Sequence, residues 1–151
     1  MHMQVITTLL NEHRLLYARF DELEQMLPTF TALSQLQRQV APLGVALQRH
    51  VVLEEKVLFT ALAPHLSEIN PLAIMRGEHD GIDHLLAALL QTQAMHKAYA
   101  GVQFLLEVAR MHCAREEQLL YSPAQSLLSN QEFSIAAPGA DLMRLLSLHD
   151  G

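Results

Sequence analysis

His50–Phe59 reads HVVLEEKVLF, and His112–Tyr121 repeats its pattern as HCAREEQLLY. Both stretches follow His-x-x-x-Glu-Glu-x-[Val/Leu]-Leu-[aromatic]. A helical turn has about 3.6 residues, so a His and the Glu four positions on share one face. His50 therefore points with Glu54, and His112 with Glu116. The aliphatic and aromatic residues that follow turn this face toward a core, where a carboxylate is costly unless something positive satisfies it. No Lys or Arg is built into both copies on that face, whereas imidazole is. A His beside a carboxylate, written on two helices, is how a helical bundle holds a pair of metal ions.

The chain around these motifs has 151 residues, enough for one domain with a real core. Half of it is hydrophobic, 5% is aromatic and Trp is absent, so Leu, Ala, Val and Met must fill the interior. A formal charge of −6 with no basic cluster argues against a nucleic-acid surface. Apolar runs such as Leu85–Leu90 are too short to span a bilayer. The opening MHMQVITTLLNEHR lacks the basic start and cleavage site of a signal peptide. A single cysteine, Cys113, excludes an intramolecular disulfide framework and suits a reducing compartment. The expectation is a cytoplasmic protein that engages neither nucleic acid nor membrane. Nine histidines, many for this length, are the informative excess.

Apolar periodicity predicts four helices. Val5, Leu9, His13, Leu16, Phe20, Leu23 and Leu27 recur at steps of three and four, giving a helix over 4–27 that breaks at Pro28. A second runs from about Ser34 to Ala63, with Pro42 marking either its start or a kink. The third spans Pro71 to about Gln93, with Ile74, Glu78, His79, Ile82, Leu86 and Leu89 near one face. Gly77 and Gly81 bracket His79, as a place of close approach or as tolerated defects costing about 1 kcal/mol each relative to Ala. The fourth runs from about His96 to Tyr121 and stops before Pro123; a loop around 136–139 and a short packing helix, Asp141–Leu148, follow. The fold expected is all-α: an up-down-up-down four-helix bundle over residues 1–130, then a C-terminal tail over 131–151.

Along these helices come His13, the His50/Glu54 pair, His79 and the His112/Glu116 pair, and Glu12-His13 matches Glu78-His79. The order describes two similar hairpins related by a pseudo-twofold. Two metals shared among these six groups would each take two imidazoles, with both carboxylates free to bridge. Mixed N/O ligation without thiolate excludes Fe–S clusters, disfavours Cu(I) and suits iron, manganese or zinc. Two carboxylates against two divalent ions leave room for a hydroxide or oxide bridge and for open positions where a small diatomic or a peroxide binds. The remaining candidates take ordinary roles. His84 is read as solvated or hydrogen-bonding, Glu55 and Glu117 as solvated or helix-pairing charges, Tyr17 and Cys113 as packing groups. Phe59, Tyr121, Met26, Met75 and Met111 are assigned to the core, and His2, His65, His96 and His149 to the surface.

The set EHR, HVVLEEKVLF, EHDGI and HCAREEQLLYSPA resembles the hemerythrin-like, HHE cation-binding domain over roughly Gln4 to Ser129. That resemblance implies a four-helix bundle holding a non-haem di-iron centre, with family activities from reversible oxygen binding to iron sensing and nitrosative-stress protection. It also implies the ligands His13, His50, Glu54, His79, His112 and Glu116. Oxygen carriers of the family have a second third-helix His four residues after the first, where this chain has Asp83. They also end with an Asp five residues after the last His, where this chain has Glu117. The absent fifth histidine counts against simple oxygen transport and favours the four-His variety, which resembles proteins of iron-centre repair and stress response. Three functions therefore compete: a di-iron protein that binds or senses O2, NO or iron; a di-iron enzyme or iron donor; and a helical interaction module. In the last, Asp141–Leu148 docks on a partner or on a second copy as a homodimer.

Overall fold

The apolar stripes fold as four long helices: α1 (His2–Met26), α2 (Leu33–Leu53), α3 (Pro71–Gln91) and α4 (Met95–Glu116). They form the up-down-up-down bundle that the stripes predict. The structure, a computed structural model, describes residues 2–66 and 71–129; the expected tail helix Asp141–Leu148 and the tail boundary lie outside them.

Local chemistry sets the ends. Pro28 cannot continue α1, which closes in a 3₁₀ turn, Leu27–Thr29. Gln35 then caps α2 from inside, its Oε1 accepting the backbone N–H groups of Thr31 and Ala32 at 3.1 and 3.2 Å. Pro42 neither starts nor ends α2 but lies within it. Its ring sits on the exposed face, so the carbonyl deprived of a donor faces water rather than the core.

Two departures follow the His-x-x-x-Glu motifs. Directly after them the backbone widens into π-helical turns, Glu54–Phe59 and Glu117–Tyr121. Such single-turn widenings cluster at functional sites. Beyond the second, the helix resumes over Ser122–Ser129 instead of stopping before Pro123. Pro123 falls at the second residue of the resumed stretch, where the hydrogen-bond register is changing and a missing donor costs least.

The core is two apolar clusters with a polar layer between them. One contains Leu16, Phe20, Leu36, Val40, Leu86, Val102 and Leu105, the other Val5, Leu9, Leu58, Phe59, Met75 and Tyr121. Every helix passes from one cluster to the other, and each passes a histidine on the way: Leu9-His13-Leu16, Leu47-His50-Leu53, Met75-His79-Ile82 and Ala109-His112-Leu120. Ile74, expected on the inner stripe, and Met111, expected in the core, are instead both more than half exposed. Met75 fills the inner position of α3 because its neighbours Leu72 and His79 fix the buried face one residue later. Gly77 and Gly81 lie on the exposed side of α3 with open space where a Cβ would be, so no group approaches them closely.

Candidate metal centre

His13, His50, Glu54, His79, His112 and Glu116 are the buried polar residues between the clusters, and His13, Glu54 and Glu116 have no exposed surface at all. All six predicted ligands therefore meet. Five of them fall into two sets whose donor atoms lie within 4.8 Å of one another: His13, His50 and Glu116, and His79, His112 and Glu116. The spacing in the sequence does not decide that pairing, because it depends on which helices pack side by side.

Glu116 belongs to both sets, and Glu54 reaches both as well. Glu54 Oε2 lies 3.7 Å from His50 Nε2 and 3.4 Å from His79 Nε2. Glu116 contacts His112 Nε2 and lies 3.7 Å from His79 Nε2. The two carboxylates thus stand where bridging groups would.

Each imidazole is held from behind by a glutamate of another helix. His13 Nδ1 meets Glu117 at 2.8 Å, and His50, His79 and His112 Nδ1 meet Glu12, Glu55 and Glu78 at 2.7 Å each. The pattern is cyclic: every histidine is gripped from the helix before it in the chain, and α1 from the end of α4. A carboxylate only accepts hydrogen bonds, so each Nδ1 carries the proton and donates it. In the neutral ring that leaves Nε2 bare and facing inward, the tautomer a metal requires. The outer carboxylates remain 21–34% exposed, so their own charge stays hydrated. Glu55 and Glu117, expected as solvated or helix-pairing charges, thus pair with a histidine of another helix, as do Glu12 and Glu78.

The inner face is correspondingly short of donors. Both oxygens of Glu54, His79 Nε2, His112 Nε2 and Glu116 Oε1 are buried without a hydrogen-bond partner. His13 Nε2 and His50 Nε2, both acceptors in this tautomer, face each other at 3.0 Å. Acceptors converging on acceptors are stable only if protons or cations lie between them. Adjacent ligands at about 2.1 Å around one ion also sit about 3 Å apart, so the donor spacing fits a metal.

Without a cation the groups must share protons instead. Burial, then Glu116, pushes Glu54 well above the usual carboxylate range. Burial pushes Glu116 the same way, but the neighbouring Glu54, His112 and His79 outweigh that and hold it well below. Burial alone would lower His79, yet Glu116, Glu54 and Glu55 raise it to about 10. His13 goes the other way, lowered by burial and by His50.

Tyr121 is buried in the second cluster, as expected, and its hydroxyl also reaches the inner groups. Its Oη lies 3.2 Å from His13 Nε2, 3.4 Å from His50 Nε2 and 3.2 Å from Glu116 Oε2. The signal was available: the aligned position in the first repeat is Phe59, which stacks on His79 at 5.9 Å and brings no hydroxyl. Tyr17 packs against the core and also reaches Glu117, at 3.4 Å. His84 turns away, its Nδ1 donating to the Asp80 carbonyl at 2.6 Å, and Asp83 is exposed. Cys113 is buried in the first cluster, and its thiol is pushed up by burial and by Glu116. His96 is exposed and His65 half-buried; His149 and the side chain of His2 lie outside the described residues.

A surface groove of about 420 Å³ between α1 and α2, lined by Leu15, Arg19, Val45 and Val52, reaches Glu12 and His50. Among the described residues, no helix is long and apolar enough to cross a membrane. The model of the family described as Hemerythrin HHE cation binding domain matches residues 4–125. No curated protein and no solved structure matches the chain.

Proposed function

The chain belongs to the hemerythrin HHE cation-binding family, and from that premise we propose that it is a cytoplasmic non-haem di-iron protein. It binds or senses a small species, O2, NO or iron itself, in stress response or iron homeostasis. The observation that carries this reading is the inward convergence of bare Nε2 atoms and carboxylate oxygens, with four outer glutamates fixing the tautomers. His13, His50 and Glu116 would hold one ion, His79, His112 and Glu116 the other, with Glu54 between them. Iron fits this N/O donor set, as do zinc and manganese. When bound, iron supplies reversible electron transfer and open positions for a diatomic.

The protein contributes three things. The outer glutamates orient the rings and keep Nε2 basic. The two apolar clusters above and below keep bulk water from the ions. Glu54 and Glu116 supply two negative charges shared by the pair, so neither half is complete alone. Asp83, at the place of a fifth histidine, is exposed and offers no further inward nitrogen. That supports sensing or storage over oxygen carriage.

The test is anaerobic addition of NO to the ferrous-loaded protein. Stoichiometric, saturable spectral change without consumption of NO supports binding. Catalytic loss of NO or of peroxide, abolished in Glu54→Ala, would instead establish the enzyme alternative. Transfer of the iron to a chelating acceptor protein would establish the donor alternative.

A further inference from the structure

The two halves of the centre are not chemically equal, and the difference is one oxygen. Tyr121 and Phe59 occupy matching places, each nine residues after the His of its motif and each packed on a ligand ring. A phenyl ring would fill the space beside His13 as Phe59 fills it beside His79. The hydroxyl is the addition, and burying it is costly unless its bonding is satisfied.

A phenol has one proton to donate. Tyr121 Oη faces three acceptors: His13 Nε2, His50 Nε2 and Glu116 Oε2, at 3.2, 3.4 and 3.2 Å. At most one of these can receive the O–H, and the others look at its lone pairs. The same three residues form one of the two ligand sets. With His13 and His50 Nε2 at 3.0 Å, the phenol oxygen and the two nitrogens keep the separations of neighbours around a single ion, and Glu116 Oε2 lies at the same range from the phenol.

We propose that Tyr121 is a further protein ligand, its phenol oxygen joining His13, His50 and Glu116 on one iron, while the iron at His79 and His112 has no counterpart. This rests on the reading of the centre as iron-binding. A hard anionic oxygen suits ferric iron, and tyrosinate is an established iron ligand elsewhere. On loading, the O–H bond is exchanged for an oxygen–iron bond and the proton leaves to solvent, as for other ligands that bind deprotonated. The consequence is a division of labour. The His13/His50 ion is the more fully coordinated, and the His79/His112 ion keeps the open position for an exogenous ligand.

The experiment compares air-oxidised, iron-loaded wild type with Tyr121→Phe and Tyr17→Phe, reading iron per chain, visible absorption and resonance Raman. The wild type and Tyr17→Phe should show a visible phenolate-to-iron charge-transfer band with tyrosinate ring modes, and Tyr121→Phe should lose both while still binding iron. Two irons per chain without those modes in the wild type, or a band that survives Tyr121→Phe, overturns the ligand and leaves the iron reading intact. Absence of bound iron in the wild type removes both. Should Tyr121→Phe fail to fold, ring-deuterated tyrosine in the wild type decides alone, because an unshifted Raman pattern rules out tyrosinate.

Discussion

Around His13 and His50 the neighbours are phenols. Tyr121 points its oxygen between the two rings, and Tyr17 bonds the glutamate behind His13. Around His79 and His112 they are a phenyl ring and two guanidiniums. Phe59 stacks on His79, Arg76 lies 5.3 Å over Phe59 and 4.0 Å from Glu55, and Arg115 contacts Glu78. The repeated motif builds both halves on one plan, four rings and four backing carboxylates, and then surrounds them differently. The inner carboxylates raise His79, whereas burial and His50 lower His13. A duplicated scaffold thus sets two groups of candidate ligands in different surroundings.

The largest effect should come from the residue both halves share. Glu116→Ala removes a ligand from each set, so bound metal should fall from two ions per chain to less than one, measured on dialysed protein. Metal-dependent stabilisation should fall with it, by about 4 kcal/mol per ion at a free concentration about 1,000 times Kd. Separate halves come next: His50→Ala and His112→Ala should each leave one ion per chain, and different spectra would expose the inequality. Loss of both ions in either variant would show that the halves fill only together.

The backing carboxylates rank third. Glu12→Gln and Glu78→Gln each disturb one tautomer, and a lost partner of this kind costs about 10–100-fold in metal affinity. Competition with a chelator should show that loss confined to the half each one supports.

The pH response of metal-free protein sharpens the contrast further. His79 is raised from 6.5 to about 10 in the fold, so its contribution is complete below 6.5 and is lost as pH rises through about 10. Glu54, also raised, acts in the same direction. His13 is lowered, so its effect is confined to pH below its ordinary value. Melting temperature without metal should therefore fall between pH 7 and 10. With metal it should hold or rise over that range, because the ligands bind deprotonated. Smallest of all, Gly77→Ala on the open face of α3 touches neither half and should stabilise by about 0.5–1 kcal/mol in denaturant melts.

The parts of this account that were legible in the sequence are those set by local spacing. The His50/Glu54 and His112/Glu116 offsets need only the helical period, and the apolar stripes imply the bundle. The histidine partners of Glu55 and Glu117 are not legible from spacing, because a regular helix turns each of them about 100° from the ligand beside it. Both glutamates nevertheless reach the ring of the next helix, at the start of the widened turns. A chemical count would have found them: four ligand histidines need four Nδ1 acceptors, and Glu12, Glu55, Glu78 and Glu117 are adjacent to the proposed ligands. At Tyr121 the sequence signals core burial, and the contacts of its hydroxyl depend on packing that spacing does not show. Pro123 misled because proline was weighed as a stop, and the altered register before it was invisible in the sequence. Which rings pair was never a local question; it belongs to the packing of α1 on α2 and of α3 on α4.

The central claim is that two cations, joined by Glu116, complete a core otherwise made of facing acceptors. Anaerobic titration of metal-free protein with ferrous iron, followed by bound metal and by melting temperature together, tests it most directly. Two ions per chain, with a rise in melting temperature that Glu116→Ala abolishes, is the result expected. Binding of fewer than one ion, or a melting temperature indifferent to iron, would contradict it.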